Sequence, residues 1–278
     1  NLAASDRTKT SATLNGLIEN NGGEQVTVSL NPPSVSAGLI AHWRFDEGTG
    51  AEAQDSTGFT PTAQVFGGAS WTAGMGGAFG TALDFDGSNQ AYVEAGDFRI
   101  VGATSFTAWV YKRNMGNWQR VFDFGNNAND NNILLANEGS TNRGIWSIRR
   151  GTTERRLRVY DFWTLNEWQH IVASVSSTGV MKLHRNGQLL GTFNGFVPNN
   201  LTRTRQYIGK SNWGDRYFDG MMDDFRVYDR DLTEQEAGFI YAGDLETTLT
   251  LGGDDPIVQV YWGDEDAGLT TEVNASDN

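Results

Sequence analysis

The period and length of the apolar runs constrain this chain most. Phe106-Thr107-Ala108-Trp109-Val110-Tyr111 alternates, so every second side chain faces the same way on an extended backbone. Gln169-His170-Ile171-Val172-Ala173-Ser174-Val175 repeats the pattern. Met181-Lys182-Leu183-His184 leads into Asn186-Gly187, a two-residue hairpin signal, and Leu189-Leu190-Gly191-Thr192-Phe193 returns. No long helical stretch interrupts these runs, and 34 glycines against five prolines suit tight turns between strands. One short helix is expected near the end, where Thr233-Glu234-Gln235-Glu236 forms a capping box before Phe239-Ile240-Tyr241 and Gly243 stops it. The spacing predicts an all-β, two-sheet antiparallel sandwich. With 278 residues the chain is long enough to bury a full core.

Three segments are expected. Residues 1–36 form a polar flank with one alternating run, Val26-Thr27-Val28-Ser29-Leu30, turn signals at Asn15-Gly16 and Asn21-Gly22-Gly23, and a stiff joint at Pro32-Pro33. Residues 37–243 form the main block. Residues 244–278 form a second flank, with a strand at Ile257-Val258-Gln259-Val260-Tyr261-Trp262 and an acidic turn at Gly263-Asp264-Glu265-Asp266. Gly22-Gly23-Glu24-Gln25-Val26-Thr27-Val28 resembles Gly252-Gly253-Asp254-Asp255-Pro256-Ile257-Val258-Gln259-Val260, either by chance or because the flanks share a small repeated β element. Such strands are expected to pair with each other, to fold back on the sandwich, or to join neighbouring copies or domains. Beginning at Asn1, the chain is expected to be a processed mature protein or a segment of a longer one.

Composition excludes several chemistries. The sequence has no cysteine, which removes disulfides, thiolate catalysis and cysteine-ligated zinc. A net charge of −13 argues against nucleic acid as the main partner. No apolar run approaches the roughly 18 residues of a membrane-spanning helix. The charge is unevenly spread: residues 141–217 hold twelve Lys/Arg against four Asp/Glu, and the remainder nine against thirty. That cationic middle faces an anionic ligand or pairs with the acidic flanks of a neighbour, unless its charges are simply solvated or mutually paired.

A family resemblance rests on phrases in a fixed order. Leu39-Ile40-Ala41-His42-Trp43-Arg44-Phe45-Asp46-Glu47-Gly48, with Asp55-Ser56-Thr57-Gly58 after it, resembles the first strand and loop of the laminin-G-like, concanavalin A-like jelly-roll domains of bacterial surface and secreted proteins. Gly80-Thr81-Ala82-Leu83-Asp84-Phe85-Asp86-Gly87, Ser105 to Val110, Glu167-Trp168-Gln169-His170, Leu183-His184-Arg185-Asn186-Gly187, Ile208-Gly209-Lys210 and Asp223-Asp224-Phe225-Arg226-Val227-Tyr228 are similar to its later strands. The resemblance covers residues 38–243 and leaves both flanks outside. It implies a concanavalin A-like jelly roll with one C-terminal helix and β-strand flanks, placed outside the cell or on a bacterial surface.

The same resemblance frames the candidate sites. Hydrolases of this fold would show Glu-x-Asp-x-Glu on one strand, because retaining hydrolysis needs two carboxylates about 5 Å apart. That motif is absent, and Asp84-Phe85-Asp86 sits beside a turn. His42, His170 and His184 lie in strand patterns, and no Gly-x-Ser-x-Gly occurs, so no catalytic residues are expected. The resemblance implies a structural calcium held first by Asp223, helped by Asp46 or Glu47 and by carbonyls near Gly87. Hard cations take six to eight oxygens of this kind. Trp43, Trp109 and Trp168 are expected in the core. Trp118, Trp163, Trp213 and Tyr217 lie among polar, turn-like residues and are candidate platforms for a glycan, with Arg155, Arg156 and Arg216 as fork-like contacts. Gly74-Met75-Gly76-Gly77-Ala78-Phe79-Gly80 leads into a strand, so it lacks the helix terminus a phosphate loop needs. The expectation is a non-enzymatic recognition or adhesion module for a polysaccharide or cell-surface glycan. The alternatives are a fibre or array subunit joined through its terminal strands and, last, a polysaccharide hydrolase.

Overall fold

The phrases that open and close the main block pair with each other. Strand Leu39–Trp43 lies antiparallel to Gly220–Tyr228, with Trp43 opposite Phe225 and His42 opposite Arg226. The computed structural model describes residues 35–75 and 79–243, together with the strand segments Val26–Ser29, Thr248–Leu251, Val260–Tyr261 and Thr270–Thr271. Two large antiparallel sheets form the sandwich expected from the alternation, in the concanavalin A-like form that the resemblance implied.

In the back sheet the order is Gln188–Asn194, Val180–Arg185, Trp168–Val175, Thr104–Lys112, Gly220–Tyr228, Thr81–Phe85 and Ser70–Ala73, with Leu39–Trp43 also on Gly220–Tyr228. The last long strand changes partner partway along. Gly220 to Met222 pair with Thr81–Phe85, and Phe225 to Tyr228 with Leu39–Trp43. A register shift falls between Asp223 and Arg226, where Asp224 takes a φ of 52°. Bulges of this kind re-aim side chains, and this one sets the directions of two adjacent aspartates.

The front sheet runs Thr153–Val159, Gly144–Arg150, Ile133–Asn137, Arg120–Gly125, Arg205–Ile208, Tyr92–Glu94, Ala63–Phe66 and Glu52–Ala53. Period two sends Phe122, Phe124, Leu135, Trp146 and Ile148 into the core, and Leu134, Ser147, Arg149, Glu154 and Arg156 to the outer face, while a register shift between Arg120 and Phe122 puts Arg120 on that outer face as well. Phe106 and Phe122 stack across the two sheets with ring centroids 4.4 Å apart, while Trp43 meets Phe225 at 6.0 Å. The buried Trp146 indole donates across the sandwich to the Ser174 carbonyl at 2.9 Å, so this tryptophan fills the core without leaving a polar atom unpaired.

The local signals act as expected. Asn186 (φ 52°) and Gly187 (φ 80°) make the left-handed hairpin turn. Thr233 caps the helix Glu234–Tyr241 through a complete capping box with Glu236. Residues Ser36–Leu232 form one compact unit, and the helix groups with the two flanks in a second. Within that second unit, Val26–Ser29 pairs antiparallel with Thr248–Leu251, and Val260–Tyr261 with Thr270–Thr271. The flank strands therefore find partners inside the chain. Asn15-Gly16, Asn21-Gly22-Gly23, Pro32-Pro33, Ile257 to Gln259, Trp262 and the acidic turn at 263–266 lie outside the described residues, as does most of the repeated flank phrase.

Candidate functional site

Four neighbouring strands of the front sheet turn a polar row outward, and two loops close over it. Arg120 begins its strand just before a bulge. Arg149 and Glu154 are direct cross-strand partners, as are Ser147 and Arg156. Trp118 precedes Arg120 in a loop where it takes a φ of 53°, and its amide donates to the Gly139 carbonyl at 2.8 Å. Trp213 comes from the loop after Gly209; its amide donates to Ser211 Oγ at 3.0 Å. Together with Leu134 and Asp215 these residues line a cleft of about 170 Å³. That is below the roughly 300–1,000 Å³ of drug-sized ligand pockets, so it suits one ring-sized group.

Each tryptophan ring is contacted by two guanidinium groups. Arg156 and Arg120 lie 5.3 and 5.6 Å from the Trp118 centroid, and Arg120 and Arg149 both lie 5.5 Å from that of Trp213. The contacts form an alternating chain, Arg156, Trp118, Arg120, Trp213, Arg149. Such contacts are worth about 0.5–2 kcal/mol each according to solvation, and here they hold both rings in place. Leu134, Ala136 and Ile145 form the apolar floor against which both indoles pack.

Carboxylates fix the cations from behind. Arg120 pairs with Asp215 at 2.9 Å and donates to the Trp118 carbonyl at 2.6 Å. Asp123, wholly buried, lies 3.7 Å from Arg120 Nε and accepts from Asn132 at 2.8 Å and from the Asn212 amide at 2.9 Å. Burial pushes its carboxyl above the usual range despite the Arg120 charge. Glu154 takes Arg149 at 3.0 Å, Arg156 at 2.9 Å and the Ser147 hydroxyl at 2.5 Å. Burial opposes its ionisation, but Ser147 and the two arginines outweigh that and hold its pKa below the ordinary value. The Nε–H groups of Arg120, Arg149 and Arg156 are buried without a hydrogen-bond partner, that of Arg120 facing Asp123.

Of the residues singled out from sequence, the structure gathers Trp118, Trp213 and Arg156 here. Arg155 cannot join them, because period two turns it to the opposite face; its guanidinium lies 5.2 Å from the Phe196 ring. Trp163 is corrected from platform to core: it is 3 % exposed and its indole donates to the Ala136 carbonyl at 3.4 Å. Arg216 is exposed on the Trp213 loop outside the cleft lining, its amide bound to the Asn117 carbonyl. Tyr217 is half-buried beside Tyr92, with ring centroids 6.1 Å apart. Trp43 and Trp109 are buried as expected, while Trp168 is only partly so, packed on Tyr111. Arg120, Arg149, Glu154 and Asp215 were missed. Arg149 and Glu154 carried a usable signal, the positions flanking the Arg150–Thr153 hairpin turn.

The acids expected at a metal are only partly assembled. Asp223 Oδ2, the Phe79 carbonyl and the Gly80 carbonyl all lie 2.8–3.0 Å from the position a Cβ would take at Gly74, and a Cβ at Gly80 would overlap the Asp46 carboxylate. Asp223 and two carbonyls thus meet at Gly74, and Asp46, which accepts from the Thr81 amide at 2.9 Å, stands at the neighbouring Gly80; all are oxygen donors of the kind a hard cation takes. Glu47 is engaged elsewhere, accepting from the Gln54 amide at 2.7 Å, and Gly87 packs against the Tyr217 and Phe218 carbonyls. Among the described residues no group of three or more acidic or histidine side chains converges on one point.

Both aspartates of the Asp84-Phe85-Asp86 phrase are engaged by local partners. Asp84 pairs with Arg113, and Asp86 caps the Gly87–Asn89 turn by accepting from the Ser88 amide at 2.8 Å. The histidines are buried on the back sheet. His42 meets Asp224 at 2.5 Å, with Arg226 on the same carboxylate at 2.8 Å. Burial pushes His170 down to about 3 and His184 to about 4, so both rings are neutral at physiological pH.

A family model described as the concanavalin A-like lectin/glucanases superfamily, of the Laminin_G_3 type, matches residues 85–238. No curated protein shows significant sequence similarity. Among solved structures, domain 4 of a GH43 extracellular arabinanase from Geobacillus stearothermophilus, in complex with arabinotriose, is similar with a TM-score of 0.57 at 21 % identity, over 72 % of this chain and 96 % of that one. The botulinum neurotoxin serotype G binding domain gives 0.56 at 16 %, over 73 % and 50 %. A botulinum neurotoxin type C structure, whose cell entry depends on interaction with two ganglioside molecules, gives 0.55 at 15 %, over 82 % and 55 %. The chain spans about half the length of those toxin binding domains. At these identities the likeness establishes the fold.

Proposed function

Because the chain belongs to the concanavalin A-like lectin/glucanases superfamily, we propose that it is a non-enzymatic extracellular recognition module that docks a glycan unit in the Trp118–Trp213 cleft. The observation that carries this reading is the alternating arginine and tryptophan chain: rigid aromatic walls beside guanidinium donors, on an outward sheet face with an apolar floor. Hydroxyl and carboxyl groups of a sugar match such forks, and the indole edges exclude water from those bonds.

The cleft's acids speak against hydrolysis. A glycosidase needs one carboxylic acid protonated near neutral pH and a second free to act as nucleophile or base. Here Glu154 is held ionised by two arginines and Asp215 is tied to Arg120. The proposed cation would be calcium at Asp223 and Asp46 with the Phe79 and Gly80 carbonyls. It would supply charge neutralisation and tie Gly74, Phe79 and Gly80 to the back sheet. Arabinotriose on one similar fold and gangliosides on another agree with glycan recognition here.

The experiment is a glycan array followed by titration calorimetry, in calcium, on wild type and Trp213→Ala. Binding that drops at least tenfold in the variant supports the cleft. Undiminished binding moves the site elsewhere, and silence across the array removes the glycan reading.

A further inference from the structure

We infer that the front sheet carries a second glycan contact, an aromatic platform at Phe66, so that the ligand is an extended chain rather than a single terminal sugar. This deepens the glycan reading above and rests on it. Phe66 and Tyr92 are direct cross-strand partners, and their rings stack at 5.0 Å with an interplanar angle of 19°. The Lys210 ammonium sits 3.8 Å from the Tyr92 centroid and 4.3 Å from that of Tyr207. Tyr207 and Tyr217 flank Tyr92 at 5.7 and 6.1 Å. Tyr92 is thereby held between a ring and a cation, and Phe66, 41 % exposed, offers a backed ring to solvent. Fixed rings of this kind, with hydrogen-bonding side chains beside them, suit the apolar face of a sugar. Gln64 and Glu94 turn outward next to them as another cross-strand pair.

Two observations join this platform to the cleft. One register row crosses the sheet from Arg156 through Ser147, Leu134, Asp123, Tyr207 and Glu94, so both surfaces lie on the same outer face. One loop also serves both. Lys210 and Tyr217 belong to the platform, Trp213 and Asp215 to the cleft, and Ser211 and Asn212 anchor the loop between them at Asp215 and Asp123. From the Leu134 strand to the Phe66 strand is four strand steps, about 19 Å. A chain long enough to cover that span engages both surfaces, and linking two contacts raises affinity by about 10²–10⁴-fold over either alone.

The test uses the full chain and size-fractionated oligosaccharides of arabinan, pectin, chitin, hyaluronan and dextran, measured by calorimetry. Wild type is expected to bind long fragments at least 100-fold more tightly than fragments too short to cover the span. Phe66→Ser and Tyr217→Ala should remove that gain while leaving short-fragment affinity within twofold, whereas Trp213→Ala weakens both. Long-fragment affinity unchanged in both platform variants overturns the inference and leaves the cleft reading standing. So does a wild-type dimer that Phe66→Ser makes monomeric with glycan binding intact. Absence of binding to every fragment removes the cleft reading and this inference together.

Discussion

Lowering the pH from 7 to 5 should cost this fold about 4 kcal/mol through two buried imidazoles. His170 titrates at about 3 and His184 at about 4 in the folded protein, both through burial. An unfolded histidine titrates near 6.5. Between about pH 6.5 and 4 the unfolded chain therefore binds protons that the folded chain refuses, and stability falls as pH falls. Each ring contributes about 1.8 kcal/mol of loss over that step, about 4 together, against total stabilities of roughly 5–15 kcal/mol. The wholly buried carboxyl of Asp123, pushed above its ordinary range, opposes this loss by taking up a proton in the folded state. Burial pushes Lys112 down to about 7, so the folded amine is half-neutral at the top of the window and adds only about 0.4 kcal/mol to the loss. The carboxyls of Glu154 and Asp224 lie below their ordinary values and change only under about pH 4.5. Urea denaturation followed by tryptophan fluorescence at pH 7, 6 and 5 measures the slope. His184→Gln should roughly halve it, and His170→Gln with His184→Gln should nearly flatten it. A wild-type stability constant within 1 kcal/mol across the range refutes the reasoning.

Arg120→Ala should destabilise by about 3–5 kcal/mol, because it strands the wholly buried Asp123. That deficit should shrink on acidification as the carboxyl protonates, which paired urea melts at pH 7 and 5 would reveal. Calcium at 100 times its dissociation constant should add about 2.7 kcal/mol of stability. Asp223→Asn should abolish the increment, and an unchanged melting temperature in excess chelator would count against the cation. Gly80→Ala should cost at least about 1–3 kcal/mol, since its φ is 45° and a Cβ there collides with Asp46. A neutral result in denaturant would deny that close approach.

Local physics made much of the molecule legible from its residues. Alternation marked the Thr104–Lys112 and Trp168–Val175 strands, Asn186-Gly187 the hairpin, and Thr233 with Glu236 the helix start, because each signal acts over a few neighbours. The ordered phrases also implied that Leu39–Trp43 and Gly220–Tyr228 belong to one sandwich, and they pair directly. Alternation further held the fact that Arg155 and Arg156 face opposite ways, since period two forbids neighbours one face. What the chain alone left open was register. Only the pairing of distant strands sets Arg149 against Glu154, brings Arg120 between two tryptophans from loops 95 residues apart, and sends Trp163 inward. Turn-like surroundings suggested exposure for all three of Trp118, Trp163 and Trp213, yet burial depends on what packs above a residue. Sequence determined which way each side chain points from its own strand; tertiary structure decided what it meets there, because those contacts are made between segments that only the folded sheets bring together.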